Sequence, residues 1–229
     1  MNAILELEKV TKIYKKGESE VRALAGVDLS IEKGEFMAVV GPSGSGKTTL
    51  LNIIGCLDSP TAGTVSYDGR VLGGLTEDQL SDYRKEHISF IFQSYNLIPV
   101  LTVRENVELP LVIEHKATKA EIRSKAAEII AAVGLGGLEE RFPRELSGGQ
   151  EQRVAIARAL VKDPFIVLAD EPTANLDSKT AEEIVEIMRE INRTRLATFI
   201  FSTHDALVQK HARRVLTIRD GAVHSDERK

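Results

Sequence analysis

Apolar and polar positions alternate near the start of the chain, through Ile4-Leu5-Glu6-Leu7-Glu8-Lys9-Val10 and again through Val27-Asp28-Leu29-Ser30-Ile31. A period of two turns one face to a core and the other to water, so both segments are predicted to be half-exposed antiparallel strands of a small β layer. Four later runs lack the alternation. Residues 36–40, 88–92, 165–169 and 197–201 are apolar almost throughout, the pattern of parallel strands covered on both faces. Between them the apolar spacing becomes helical, over Thr76 to Glu86 and over Thr118 to Val133, the second ending at the helix-stopping Gly134. From Gln93 to about Val161 the pattern is predominantly helical, with turns at Leu97-Ile98-Pro99-Val100 and Arg141-Phe142-Pro143-Arg144. The expectation is one α/β domain over residues 1–229. Its core comprises about 1–92 and 162–229, and residues 93–161 form a helical insertion.

Composition narrows the function. The 229 residues are 42% hydrophobic, enough for one sizeable core, and the formal net charge of −4 leaves no footprint for a nucleic-acid backbone. Runs such as Phe165-Ile166-Val167-Leu168-Ala169 are far shorter than the ~20 residues of a membrane-spanning helix. The start, Met1-Asn2-Ala3-Ile4-Leu5-Glu6, has no basic stretch leading into an apolar core, so no secretory leader is expected. The single cysteine, Cys56, cannot form an internal disulfide and fits a reducing cytosol, where it would be a small buried hydrophobe.

Chemistry enters at Gly41-Pro42-Ser43-Gly44-Ser45-Gly46-Lys47-Thr48, set between the apolar run 36–40 and a helical stretch beginning Lys47-Thr48-Thr49-Leu50. Such a loop wraps a polyphosphate with inward backbone N–H groups, its Lys pairs with phosphate oxygens, and the hydroxyl of Thr48 reaches Mg²⁺. A flexible Gly/Ser turn would not need that strand–loop–helix context. Phe165 to Ala169 then runs into Asp170-Glu171. At the carboxyl edge of a sheet, Asp170 is suited to holding Mg²⁺ and Glu171 to orienting an attacking water as general base; otherwise the pair would simply open a solvated turn. Ser147, in Leu146-Ser147-Gly148-Gly149-Gln150, precedes the apolar stretch Val154 to Leu160 and makes a good helix N-cap. A cap does not need two following glycines, each costing about 1 kcal/mol in a helix, whereas close approach of backbone to an anion does.

Leu146-Ser147-Gly148-Gly149-Gln150 resembles the signature motif of the ATP-binding cassette (ABC) family, and the resemblance covers nearly the whole chain. It implies a P-loop NTPase (RecA-like) core with an N-terminal antiparallel β layer and an inserted α-helical subdomain. Tyr14 is similar to the family's adenine-stacking aromatic, and Gln93 to the glutamine that meets Mg²⁺ or water and senses the membrane partner. Ala174-Asn175-Leu176-Asp177 is similar to the segment that crosses to a second subunit, with helix capping by Asp177 as the alternative. His204 resembles the histidine that contacts the γ-phosphate. The resemblance thus implies ATP and Mg²⁺, held by Tyr14, the loop Gly41, Ser43, Gly44, Ser45, Gly46, Lys47, Thr48 and Thr49, and by Ser147, Gly148, Gly149 and Gln150 of a second copy. Asp170, Thr48 and Gln93 would meet the metal. Glu171, His204 and Gln93 would act in hydrolysis.

Finer resemblances, in Asn52-Ile53-Ile54-Gly55-Cys56-Leu57-Asp58, Phe92-Gln93-Ser94-Tyr95-Asn96-Leu97 and Glu105 to Leu111, point to lipoprotein-release (LolD-like) and macrolide-export (MacB-like) ATPases. In MacB-like proteins the permease is fused to the ATPase, so a chain ending at Lys229 fits the separate LolD-like arrangement better. Glu151 departs from the glutamine common there and would lie near incoming phosphate. The expected partners are a second copy in the ATP-bound state and an FtsX-like or MacB-like permease met through the helical insertion and the Gln93 region. No nucleic acid is expected, and the site of action would be the cytoplasmic face of the cell membrane. The rival is a soluble cassette acting on ribosomes or DNA, which would carry two cassettes or a long coiled coil.

Overall fold

The computed structural model describes residues 3–17 and 19–229; Met1 and Asn2 lie outside them. The alternating segments form longer strands than their patterns mark. β1 (Ala3–Lys16) pairs antiparallel with β2 (Ser19–Glu32), and β4 (Ala62–Tyr67) and β5 (Arg70–Val71) complete a sheet of order β2-β1-β4-β5. Along β2, Val27, Leu29 and Ile31 are buried while Asp28 and Ser30 are exposed, as the period of two requires, and a register shift at Gly26 displaces the alternation so that Leu24 is buried with them. Towards the tip both strands lose their apolar face, yet the ladder runs on because backbone pairing does not depend on side-chain burial.

The uniformly apolar runs form the second sheet, of order β10-β9-β3-β8-β7-β6. β3 (Phe36–Val40), β6 (Ile88–Ile91), β7 (Ile166–Asp170) and β8 (Thr198–Ser202) are parallel neighbours. β9 (Arg214–Arg219) joins parallel to β3, and β10 (Ala222–Arg228) closes the edge antiparallel. Met37, Val39, Ile166, Leu168 and Ile200 face the β layer and α1 (Lys47–Ile54). Phe36, Val167, Ala169, Phe199 and Phe201 face the helices, with the Phe36 and Phe201 rings 4.6 Å apart. Truncating one of these rings to Ala would cost about 3–5 kcal/mol.

The remaining helices start where their caps dictate. α2 (Glu77–His87), α3 (Val103–Glu114), α4 (Lys119–Ala132) and α5 (Gly148–Leu160) open with reciprocal boxes, Thr76 with Gln79, Thr102 with Glu105, Thr118 with Glu121 and Ser147 with Gln150. α6 (Ser178–Arg195) and α7 (Ala206–His211) are capped by Asp177 and Asp205. Helices α3, α4 and α5 fill the chain between β6 and β7, and α5 packs on both the sheet side and its helical neighbours. The loop entering α3 is fastened by buried Asn106, whose Nδ2 donates to Ile98, Leu101 and Thr102 carbonyls while Oδ1 accepts from Ile98 N.

Parallel register decides what meets what. Val39 lies beside Ser202, Ser202 beside Asp170, and Ala169 beside Ile91. The loops leaving β3, β8, β7 and β6 therefore emerge at one edge, the crevice where α/β sheets bind ligands.

Candidate functional site

The loop between β3 and α1 is pressed from outside. A Cβ on Gly41 (φ 149°) would overlap the Ile218 carbonyl of β9, and one on Gly46 (φ 109°) would overlap the Ala23 carbonyl of β2. Ser45 N donates to Pro42 O at 3.2 Å and Gly221 N to Ser45 O at 2.9 Å, holding the loop's curl. Ser45 is buried, whereas Ser43, Gly44 and Thr48 are exposed. Among the described residues six of the seven α-helices begin with a side chain on their first amides, but α1 begins at Gly46 with none, and it has no acid in its first turn. Its N–H groups and the positive end of its dipole are left for an anion. Lys47 lies across the loop, its Nζ donating to the carbonyls of Gly41 (2.8 Å) and Pro42 (3.0 Å).

Asp170 ends β7, and Glu171 follows in the left-handed region with φ 45°, fixed by its N–H to Ser202 O at 2.9 Å. That conformation costs a non-glycine residue about 1–2 kcal/mol. It directs the carboxylate at the loop after β8, where Oε1 meets His204 Nδ1 at 2.6 Å and Oε2 accepts from Thr203 Oγ1 at 3.1 Å. The His204 ring is 80% exposed and Glu171 only 18%, so the histidine can turn away while the carboxylate stays. Thr203 and Asp205 were not singled out by the residue pattern. Asp205 accepts from Thr173 Oγ1 at 2.7 Å and caps α7, tying the loops after β7 and β8 together. A Thr and an Asp flanking a histidine carry no local signal of this.

Gln93 is exposed just beyond β6, and its carbonyl accepts from Asn175 Nδ2 at 2.9 Å. Asp177 adopts the capping alternative, its carboxylate accepting from Lys179 N and Thr180 N, both at 3.1 Å. Tyr14, 38% exposed, stands on β1 beside the first turn of α1. Its hydroxyl donates to Asp58 Oδ2 at 2.7 Å, and Lys12 sits 5.0 Å from the ring centroid while its Nζ meets Asp58 Oδ1 at 2.5 Å. Burial, then the Asp58 hydrogen bond, push the Tyr14 hydroxyl's pKa up; at Asp58 burial acts upward too, but bonds from Lys12, Tyr14 and Ser59 N–H outweigh it and hold the carboxyl low. Lys12, which no motif marked, and Asp58, to which its motif gave no such part, therefore hold Tyr14 in place.

Ser147 to Gln150 lies elsewhere, against Tyr95, Leu176 and Thr180. Ser147 Oγ accepts from Gln150 N at a long 3.4 Å, and Gln150 Oε1 from Ser147 N at 2.9 Å, so the motif does cap α5. Beside capping and an anion, packing gives the paired glycines a further reason. A Cβ on Gly149 would overlap Thr180 Cγ2 of α6, and one on Gly148 would come within 3.2 Å of the Tyr95 hydroxyl. Helix packing by itself therefore disfavours a side chain at Gly149. Glu151, in the same first turn, has its pKa raised by burial. Cys56 is buried, and burial raises its thiol pKa to about 11, so it is inert in the sense expected.

The structure therefore gathers the 41–49 loop, Asp170, Glu171, His204, Gln93 and Asn175 at one sheet edge and sets Ser147–Gln150 apart, at the start of α5. The ABC transporter family profile matches residues 24–174. An uncharacterized ABC transporter ATP-binding protein of Methanocaldococcus jannaschii is 47% identical over 98% of this chain and 97% of its own length. The macrolide export ATP-binding/permease protein MacB of Mannheimia succiniciproducens is 45% identical over 99% of this chain, which spans 35% of that larger protein. Among solved structures, the dimeric post-hydrolysis state of the M. jannaschii cassette bound to ADP and Pi superimposes with a TM-score of 0.87, at 45% identity and 98% coverage of both chains.

Proposed function

Starting from a chain that belongs to the ABC transporter family as an ATP-hydrolysing cassette of the MacB/LolD-like type, we propose that two copies close head to tail on two ATP molecules and drive a separate membrane permease. The observation that carries this reading is the uncapped start of α1, crossed by Lys47, at the sheet edge that also bears Asp170, Glu171 and His204. Amides of residues 43–49 and Lys47 would hold the β- and γ-phosphates, Lys47 exchanging its two loop carbonyls for phosphate oxygens. The ring of Tyr14, steadied by Asp58, would lie against adenine.

Thr48, Asp170 and Gln93 offer hard oxygen donors, and among the described residues no cluster of three or more His, Cys, Asp or Glu forms a closed cage. That donor set suits Mg²⁺, which keeps several waters and shares the substrate's phosphates. When bound, the ion would neutralise charge developing on the phosphoryl oxygens. Glu171 would take the proton from the attacking water, once His204 has turned from its carboxylate to the γ-phosphate. Ser147 and Gly149 of the second copy would supply donors across the interface.

Among the described residues no helix is long and apolar enough to cross a membrane, so transport needs a partner. A cavity of about 480 Å³ beside the Gln93 loop, lined by Phe90, Phe92, Pro110 and Ile113 among others, is suited to a cytoplasmic helix of an FtsX-like or MacB-like permease. On this reading the protein works at the cytoplasmic face of the membrane, with residues 93–161 as the helical insertion that would meet the partner. The likeness to MacB proteins supports macrolide-type export as one cargo class, and lipoprotein release is the other that this reading carries.

The decisive experiment replaces Glu171 with Gln. ATP binding should persist, turnover should fall about 10²–10⁴-fold, and an ATP-dependent dimer should accumulate on size-exclusion chromatography. Wild-type turnover in the variant would refute the role of Glu171.

A further inference from the structure

Arg158 is a cation in the otherwise apolar stretch Val154–Leu160 of α5; it borders the cavity beside the Gln93 loop, and the nucleotide pocket described above makes no use of it. Its Nη1 donates to Asn96 O at 2.6 Å and its Nη2 to Tyr95 O at 2.7 Å. Burial alone lowers its pKa, with no carboxylate acting against that. A half-buried guanidinium spent on two main-chain carbonyls, with no carboxylate partner, is costly unless it fixes something.

What it fixes is an uncommon turn. Tyr95 and Asn96 are both left-handed, with φ 58° and 50°. Successive residues of one helical hand point their carbonyls the same way, whereas extended residues alternate them. The left-handed pair therefore presents two parallel acceptors to one planar fork, and the fork in turn sustains a strained backbone. The Tyr95 hydroxyl reaches the start of the same helix at Gly148. Two residues upstream, the Gln93 carbonyl is held by Asn175.

We propose that Arg158 is a positioning residue that locks the Gln93 loop to α5, so that Gln93 in one copy's pocket and Ser147 in the other copy's pocket move as one body. The proposal rests on the shared-pocket reading above. Filling a copy's own pocket orders Gln93, the Arg158 fork carries that order into α5, and the helix start is thereby set to complete the opposite pocket. Without the fork, each copy still binds nucleotide, but closure of the pair loses its coupling to it.

The test uses the full chain in the Glu171→Gln background and reads, by light scattering, the ATP concentration giving half-maximal dimer, with ADP affinity of the monomer as control. Arg158→Gln should raise that concentration about 10-fold, with ADP affinity unchanged within about two-fold. Arg158→Lys, a point charge without the fork, should recover only part of it. Should Arg158→Gln fail to fold, exposed Asn96 decides the matter: Asn96→Val, which disfavours positive φ, should raise the concentration several-fold, and Asn96→Gly should stay near the parent. A parent that stays monomeric at saturating ATP overturns the shared-pocket reading and this inference with it. A dimerising parent whose half-point the folded Arg158→Gln or the Asn96→Val variant leaves in place overturns this inference alone.

Discussion

Two helix starts in this molecule look alike in sequence and differ in structure. Both α1 and α5 begin beside glycines in motifs associated with phosphate. At α1 the cap is Gly46, no side chain covers the first amides, and Lys47 closes the loop only by borrowing two of its carbonyls. At α5 the cap is Ser147, Gln150 reciprocates, and Gly149 is spent on contact with Thr180. One start is built open and, on the proposed function, would receive its anion within its own chain. The other is satisfied by itself, through a Ser147 bond of 3.4 Å that an incoming phosphate can outcompete. Glycine next to a helix start thus has at least two physical meanings, and only neighbours distant in sequence tell them apart.

Replacing Lys47 with Ala should have the largest effect, a loss of about 3 kcal/mol, or roughly 100-fold in ATP affinity by calorimetry. A loss under about five-fold would mean that the open amides of α1 suffice, and the contrast with α5 would be less sharp.

Gly149→Ala should destabilise the fold by about 1–3 kcal/mol in denaturant unfolding, and adding Thr180→Ser should restore most of that. Thr180→Ser keeps the hydroxyl that donates to Asp177 at 2.5 Å and removes only the obstructing methyl. If stability returns without turnover, Gly149 also serves an anion; if both return, packing accounts for it entirely. No loss in the single variant would remove the distinction between the two glycine pairs.

Ser147→Ala should cost only about 0.5–1 kcal/mol of stability, at the low end for a cap because the bond is long. Thermal melting set against kcat then separates the cap from any service to a second pocket. A drop in kcat no greater than the stability change explains would leave Ser147 as a cap alone.

The last effect shows only in alkaline solution and concerns a helix end closed by a cation. Lys162 Nζ donates to the carbonyls of Arg84 (3.3 Å), Lys85 (2.5 Å) and Ile88 (2.8 Å) at the close of α2, and burial lowers its pKa to about 8. An unfolded lysine titrates near 10.4, so between about pH 8 and 10.4 the unfolded chain holds a proton that the folded chain has released. Stability should therefore rise with pH across that window, by at most about 1.4 kcal/mol per pH unit, and Lys162→Met should remove that increment from the unfolding profile. An identical profile in the variant would show that Lys162 keeps its proton on folding.

Much of this was written in local pattern. Alternation at Ile4–Val10 and Val27–Ile31 named the antiparallel layer, continuous apolar runs named β3, β6, β7 and β8, and Thr118 with Gly134 bracketed α4. The loop at 41–48 and the acids at 170–171 announced their chemistry because phosphate binding needs those residue types at those spacings. β4, β5, β9 and β10 escaped notice because short strands with one polar face resemble loops. The sequence also could not tell that Glu171 leans on His204 and Thr203, that Asp58 holds Tyr14, that Gly149 makes room for Thr180, or that Arg158 forks the Gln93 loop. Periodicity and capping are set by residues within a few positions of each other, so the chain alone determines them. These partners stand tens of residues or more apart, and they meet only because parallel register brings four strand ends to one edge and helix packing carries α5 over the loop that follows β6.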